Sequence, residues 1–597
     1  FFLIMVRKAF ISRHVVLPDY SKPQYAAVLV EDEFVSDVLL LDQAESVEMQ
    51  FLKFAEWNPV DCENFYISPG VIDFNIRRDW EDASQMTQAA VSGGVTLVVE
   101  DRTENFTEEA TKLHCDLGML AVVSQPEQVL DFLDSGIFGI KTYLFKPCDK
   151  IEPCTDIQAL LVEAAEAQVP VFVSSCSPDL RMYHMASPCH FIPIGKRSTF
   201  KEANTSSMFV SAYSTEVELS DEEVEIEPVR KLRTNSAMPT RSKGFNFILV
   251  EHEETDNIFR RRRKMTDIGF IDEDDEATPD LLAELDYQIR VNEQSIEYLS
   301  QVEQDTYAKS GNTQFNAAKP PSKDRMTKFR PTPIIVQKAY EEDDKDKLYF
   351  NYLANFPDPW ETHGVKRVVK ACANLSIKVH LCNLSSVSAI NYLIKQKGSK
   401  FTCDTTSSFL CFTDADVAQC DTRLKNFPPV RNKRNCNLLW DLLKLKGVDS
   451  ITSQHLAVPP QYKFLHEGSF KLAVCGISSL GFSMQQVWTK LRMPCTSASE
   501  YDAYIVRLAN WMSIQPAKQL GVWGTRGSIS RGKYADLVIW DPHARELASS
   551  YNCTYPEVFP FTSQSFYGVI HEVLVRGAIA YHKGRAKGAG KVVAGWY

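Results

Sequence analysis

The chain has 597 residues, a formal net charge of −12 and a hydrophobic fraction of 44%, which is enough for a large buried core. The acidic balance and the absence of a basic domain argue against general nucleic-acid binding. No apolar run reaches the ~18 residues of a membrane span, so we expect no nucleic-acid partner and no membrane partner. The 15 cysteines include no Cys-x-x-Cys pair, which is typical of reduced thiols, and we expect a cytoplasmic location.

The two ends of the chain have the pattern of antiparallel β-structure. Apolar and polar positions alternate over residues 5–66, for example at Ala26–Val30, and again over Gly532–Asp541. We therefore predict one small β-sandwich formed by both termini, from residues 1–68 and 531–597.

Strand and helix patterns alternate between these ends. In the first unit the apolar strand Val71–Asn75 precedes the helical stretch Asp82–Ser92, and Gly93 and Gly94 end the helix. Eight parallel strands are predicted, in chain order Val71–Asn75, Val95–Val99, Met119–Val123, Gly139–Phe145, Val171–Ser174, Lys378–Leu384, Phe401–Thr405 and Asp449–Gln454. Eight strand–helix pairs make an α/β chain with the count of a (β/α)8 TIM-type barrel, although a doubly wound open sheet would give the same pattern.

A long insert separates the fifth predicted strand from the sixth. Residues 186–345 are rich in Ser, Thr, Asp, Glu, Pro and Lys and carry charge runs, a composition that predicts disorder. One amphipathic helix with a Thr-Pro start is predicted near 279–303. This helix could lie on the barrel or bind a protein partner. The barrel strands would then come from 69–185, with strands 1–5, and from 346–530, with strands 6–8.

Several phrases recur in one order along the chain. They are I-D-F-N at 72–75, G-I-K-T-Y-L at 139–144, Y-F-N-Y-L-A at 349–354, V-H-L-C-N-L-S-S at 379–386 and G-K-Y-A-D-L-V-I-W-D at 532–541. Together these phrases resemble those of the cyclic amidohydrolases, most closely the allantoinases, and also the dihydropyrimidinases and dihydroorotases. The resemblance implies an amidohydrolase-type barrel, a homo-oligomer, a binuclear zinc site and hydrolysis of a cyclic amide such as allantoin in purine breakdown.

The same resemblance implies where the metal ligands of the family would stand. In chain order those positions hold Asn75, Arg77, Lys141, Ser174, Asn383 and Gln454. Only Lys141 keeps the family residue. In the family this lysine is carboxylated and bridges two metal ions. Gln454 stands where the family has its catalytic Asp. Neutral amides, a hydroxyl and a guanidinium are poor zinc ligands, so we expect no family-type metal site and no cofactor.

Other side chains could carry chemistry in a metal-free pocket. The candidates for its lining are Asp73, Lys141, Ser385, Thr406 and His455. Asp73 and Lys141 could form an acid/base pair or a buried structural pair, and the hydroxyl groups could bind a small ligand or cap helices.

A further group could bind a metal at the start of the insert. It consists of Cys176, His184, Cys189 and His190, but its spacing matches no zinc signature.

Three hypotheses about function follow. The first is a catalytically silent, allantoinase-like scaffold or binding protein, a pseudoenzyme, whose insert contacts a protein partner and whose pocket could still take a small ureide ligand. The second is an active allantoinase or related cyclic-amide hydrolase that uses zinc in a divergent site. The third is a decaying gene product. Metal content and allantoin ring opening distinguish the first two.

Overall fold

A computed structural model of the chain describes residues 6–42, 47–62, 64–104, 112–145, 151–176, 342–396 and 400–595. Most of the predicted insert 186–345, including the helix expected near 279–303, lies outside these ranges. No helix among the described residues has both the length and the apolar composition needed to cross a membrane.

Strands from both termini form one sheet. Its N-terminal strands are β1 (Arg7–Val15), β2 (Gln24–Glu31), β3 (Phe34–Leu40), β4 (Pro59–Asp61) and β5 (Tyr66–Pro69). Its C-terminal strands follow the eight barrel strands in the chain and are β14 (Leu537–Leu547), β15 (Ser565–Val575), β16 (Ala578–His582) and β17 (Arg585–Ala586). The strand order is β17-β16-β15-β14-β5-β1-β2-β3, with β4 beside β1. β14 joins the two termini by pairing antiparallel with β5, so the predicted β-structure from both ends is confirmed.

The eight strands between these ends form a parallel sheet whose order follows the chain. They are β6 (Val71–Ile76), β7 (Val95–Arg102), β8 (Asp116–Val122), β9 (Ile140–Tyr143), β10 (Val171–Ser174), β11 (Val379–Cys382), β12 (Phe401–Thr406) and β13 (Ser450–Thr452). Each predicted strand has its counterpart here, and the insert falls between β10 and β11 as expected.

The sheet closes on itself because β13 returns to β6. The Ser453 backbone N–H donates to the Asp73 carboxylate at 3.0 Å, and the Arg77 N–H donates to the His455 carbonyl at 3.1 Å. The chain therefore forms a nearly closed (β/α)8 barrel, and the open-sheet alternative is wrong.

Helices connect and surround the strands. They are α1 (Val47–Lys53), α2 (Ala83–Ser92), α3 (Gln128–Asp131), α4 (Ile157–Glu166), α5 (Tyr349–Ala354), α6 (Asp358–Ala371), α7 (Val387–Lys395), α8 (Ser407–Cys411), α9 (Lys433–Lys444), α10 (Pro460–Lys463), α11 (Ser483–Arg492), α12 (Ala498–Ala509) and α13 (Gln515–Gln519). Several helices begin at an N-cap whose side chain accepts a backbone hydrogen bond. Asp82 caps α2, Ser386 caps α7 and Thr406 caps α8.

Aromatic rings fill the middle of the barrel. The Phe74 ring of β6 lies 5.7 Å from that of Phe172 in β10 and 5.3 Å from that of His380 in β11. These strands are not neighbours of β6 in the sheet, so the three rings point into the barrel. The rings form an apolar layer inside the barrel, and the polar side chains lie at the carboxyl ends of the strands.

Candidate functional site

A buried carboxylate, Asp404 of β12, organises the polar side chains at the strand ends. It accepts hydrogen bonds from the Asn75 side-chain amide at 3.0 Å, from the Asn383 backbone N–H at 2.8 Å and from the Thr452 hydroxyl. The His380 ring also contacts it, at 3.1 Å. Because a carboxylate only accepts, Nε2 of His380 carries the hydrogen in this contact. Asp404 thus links β6, β11, β12 and β13.

Lys141 of β9 supplies the positive charge in this layer. It is fully buried, its ammonium donates to the Asn75 side-chain oxygen, and its nitrogen lies 3.9 Å from the Asp101 carboxylate. Burial alone would lower the pKa of Lys141, but the Asp101 carboxylate outweighs it and raises this pKa above its ordinary value. The Asp101 carboxylate thus favours the charged form of Lys141, and the hydroxyl of Tyr143 donates to the same Asp101.

Three residues that line the site have left-handed backbone conformations. Their φ angles are 65° at Asn75, 57° at Asn383 and 51° at Gln454. Each stands at or just beyond the carboxyl end of a barrel strand, and two of them are asparagine, which tolerates this region better than most residues. All three residues line one cavity at the carboxyl ends of the strands.

This cavity, which we call the strand-end cavity, has a volume of about 50 Å³. Five of the six positions assigned to metal ligands by resemblance line it, namely Asn75, Arg77, Ser174, Asn383 and Gln454. The sixth, Lys141, contacts Asn75 from the barrel interior. The structure therefore brings together the positions that resemblance assigns to metal ligands.

The eighth-strand pair, Gln454 and His455, is held by protein partners. The Gln454 amide accepts from the Asn426 side chain and donates to the Phe427 carbonyl, both at 2.8 Å. His455 lies 2.7 Å from Glu81 through Nε2, while its Nδ1 accepts from the backbone N–H of Ser479 at 3.1 Å. His455 thus donates from Nε2 to Glu81, and a cavity-lining imidazole is fixed in one tautomer.

Three other sequence candidates, Asp73, Ser385 and Thr406, lie outside the lining of the cavity. Ser385 donates to Glu361 at 2.7 Å and accepts from Arg431 at 2.8 Å. Thr406 caps α8.

The expected pairing of Asp73 with Lys141 is wrong, since Asp73 contacts Ser453 and the carboxylate nearest Lys141 is Asp101. Burial raises the pKa of Asp73 to about 7. Of the possible metal group at the insert, only Cys176 is among the described residues, and it is buried.

One group of possible metal ligands was not recognised in the sequence. One ligand atom each of His380, Cys382 and Asp404 lies within 4.8 Å of the others, and all three residues are buried. His380 and Cys382 are two residues apart in β11 and so share a strand face, which is a signal that sequence could have given. No local sequence pattern marks Asp404 or Asp101 as a site residue, because the side chains that each of them contacts lie on other strands.

The comparisons with known proteins agree with this fold. A model of the amidohydrolase family matches residues 335–580. Allantoinase of Arabidopsis thaliana is 27% identical over 274 residues, which cover 42% of this chain and 53% of the relative. Dihydroorotase of Thermoanaerobacter is 28% identical over 236 residues, covering 39% of this chain and 52% of the relative. The matches thus span about half the length of these curated relatives.

Solved structures extend the likeness across the whole chain. Dihydropyrimidinase of Brevibacillus agri superposes with a TM-score of 0.60 at 16% identity, and the match covers 98% of each chain. L-Hydantoinase of Arthrobacter aurescens gives 0.62 at 15% identity, covering 98% of this chain and 99% of the other. At this identity the likeness concerns the fold. By its sequence matches and its barrel, the chain resembles the cyclic amidohydrolases and is allantoinase-like.

Proposed function

We propose that this chain is an allantoinase-like protein that does not form the binuclear metal site of its family and acts as a non-catalytic scaffold or binding protein. The observation that carries the proposal is the buried Lys141 ammonium, which is bound to Asn75 and faces Asp101. A lysine can bridge two metal ions only after its nitrogen has lost this charge and gained a carboxylate. Here the neighbouring carboxylate stabilises the charged form instead.

The amides at the family's ligand positions support the same conclusion. Both ends of the Asn75 amide are used, one by Lys141 and the other by Asp404, and both ends of the Gln454 amide are used by Asn426 and Phe427. The Asn383 oxygen lies 3.4 Å from the Thr452 hydroxyl. A metal ion would have to break these bonds and would gain neutral ligands in return.

The group of His380, Cys382 and Asp404 does not fit a divalent cation well. Asp404 already accepts four contacts, and His380 uses its other ring nitrogen on the Thr402 hydroxyl at 2.8 Å. Burial raises the pKa of the Cys382 thiol to about 12, so the thiolate that binds metals is disfavoured. The Lys141 ammonium contacts the same sulfur and would repel a cation.

The size of the cavity favours a scaffold over a small-molecule enzyme. Its volume of about 50 Å³ holds a few water molecules, whereas sites for organic ligands measure roughly 300–1,000 Å³. A small ureide could enter only if the walls moved. We further propose that the chain acts through its outer surface, as a homo-oligomer whose insert 186–345 contacts a protein partner.

An active cyclic-amide hydrolase that uses zinc is the second candidate, because the relatives matched in sequence include allantoinases. The test is an allantoin ring-opening assay of the purified full chain, with and without added Zn²⁺, beside the Arabidopsis thaliana allantoinase. Our proposal expects no turnover under either condition. Ring opening above the protein-free blank would contradict it and support the second candidate. For the scaffold role, the full chain should retain a partner that a variant lacking 186–345 does not.

A further inference from the structure

We infer that a second cavity, between the barrel and the sheet formed by both termini, binds a small apolar molecule that carries a protonated amine. Its volume is about 90 Å³, and we call it the sheet-side cavity. Among the described residues, none lines both this cavity and the strand-end cavity. The inference therefore stands apart from the proposed function.

The sheet-side cavity lies where two barrel helices meet strands β14, β15 and β16. Ser92 is the last residue of α2, Phe482 is the N-cap of α11, and both line the cavity. Glu546 and Leu547, at the end of β14, line it from the sheet. Both of these residues are exposed, Leu547 to 60%, so the cavity is open to solvent at this end. A ligand can therefore enter past the end of β14.

Aromatic and aliphatic side chains form the apolar part of the lining. The ring centroids of Phe482 and Phe566 lie 6.2 Å apart, with the ring planes inclined by 51°. Ile570 and Tyr581 also line the cavity and are largely buried. An apolar group gains free energy by leaving water for such a surface, and the face of an aromatic ring attracts a cation. The apolar lining thus favours a ligand with an apolar body and tolerates a positive charge on it.

The Gln485 side chain supplies an acceptor that is not used. Gln485 lies in the first turn of α11 and lines the cavity. Its amide oxygen, Oε1, is buried and accepts no hydrogen bond from the part of the chain that the structure describes. A buried acceptor without a donor destabilises the folded chain, and a bound N–H group would remove that penalty. The ligand should therefore carry a hydrogen-bond donor.

Glu546 determines the sign of the charge that the cavity favours. It is the one charged side chain among the described residues of the lining, and no salt bridge between described residues includes it. Ser92 ends one helix and Phe482 begins another, so two helix ends of opposite dipole sign border the cavity and their effects on a charge oppose each other. The Glu546 carboxylate remains, and it attracts a cation by roughly fivefold in affinity at about 4 Å in water.

The size of the sheet-side cavity limits the ligand to one ring or a short alkyl chain. Its volume of about 90 Å³ is below the roughly 300–1,000 Å³ of sites that enclose an organic molecule. The ligand therefore enters in part, with its remainder in solvent. We expect weak binding, with a Kd on the order of 1 mM.

Fluorine NMR of three probes of one size tests the inference on the purified full chain at neutral pH. The probes are para-fluorobenzylamine, a cation, para-fluorobenzyl alcohol, which is neutral, and para-fluorobenzoate, an anion. Broadening of each probe's resonance is measured as the probe concentration rises. We expect saturable binding of the amine, about threefold or more tighter than that of the alcohol, and weaker binding of the benzoate. Equal affinities of amine and alcohol, or no saturable binding of the amine, would overturn the inference.

Three variants locate the binding. Glu546→Gln, at an exposed position that should not affect folding, should lower the affinity for the amine to that for the alcohol. Glu557→Gln removes an exposed carboxylate outside the cavity and should leave the amine-to-alcohol ratio unchanged. Gln485→Leu should weaken binding of both donors by about threefold or more. Equal effects of Glu546→Gln and Glu557→Gln would show attraction to the net charge of the chain and would overturn the inference, as would an unchanged affinity in Gln485→Leu.

Discussion

The Lys141 ammonium donates a hydrogen bond to the Asn75 side-chain oxygen across the interior of the barrel. This contact ties β9 to β6 at two positions that resemblance assigns to metal ligands. The same lysine faces Asp101, and the same asparagine donates to Asp404. A buried lysine and a hydrogen-bonded amide thus connect two strand ends of the barrel.

Removal of this cation should destabilise the barrel. In Lys141→Met the Asp101 carboxylate stays buried without its ammonium, and we expect the free energy of unfolding to fall by about 3–5 kcal/mol. Urea denaturation followed by circular dichroism measures this loss. Lys370→Met, at an exposed position of α6, should change it by less than about 0.5 kcal/mol. Equal stability of the two variants would show that Lys141 does not serve as the structural cation.

The Glu361 carboxylate should contribute more to stability than Asp358, although both contact Arg431. Glu361 is fully buried and accepts from the backbone N–H groups of Ser385 and Ser386, each at 2.7 Å. Glu361→Gln replaces charge-assisted hydrogen bonds with neutral ones, and we expect the free energy of unfolding to fall by about 2–4 kcal/mol. Asp358→Asn should cost less than about 1 kcal/mol, because this carboxylate is 43% exposed. Thermal or urea melts of both variants give the comparison, and a larger loss for Asp358→Asn would refute it.

Asp73 should make the stability of the chain depend on pH. Burial raises its pKa to about 7 in the folded chain, against an ordinary 3.8, so the folded chain holds this proton more tightly. The unfolded chain releases it first, and this residue's contribution to stability therefore falls as pH rises from about 4 to about 7. In Asp73→Asn this part of the dependence of stability on pH should disappear. At pH 8 the free energy of unfolding of the variant should exceed that of the unaltered chain by about 1–4 kcal/mol.

Unfolding curves at pH 5 and at pH 8 measure this effect. Asp156→Asn, at the exposed N-cap of α4, serves as the control and should leave the pH slope as it is. A slope in Asp73→Asn equal to that of the unaltered chain would refute the role of Asp73.

Most barrel strands could be predicted from the sequence because they are short apolar runs, and the resemblance to the cyclic amidohydrolases favoured a closed barrel over an open sheet. The strand starting at Val71 and the one starting at Val171 were located from such runs alone. Asn75, Asn383 and Gln454 could also be placed in one cavity, because parallel strands bring their carboxyl ends together.

The partners of these residues could not be predicted in the same way. The contact of Asn75 with Asp404 joins positions 329 residues apart, and nothing local in the sequence marks Asp404 as its acceptor. The carboxylate beside Lys141 is likewise Asp101 of β7 and not Asp73 of β6, and nothing local in the sequence marks this pairing.

The central claim is that Lys141 serves as an ammonium in a barrel without the family's metal pair. Elemental analysis of the purified full chain, expressed with added zinc and dialysed, tests it most directly. The account predicts far less than one equivalent of zinc, iron or manganese per chain. About two equivalents per chain, as a binuclear site would hold, would contradict it.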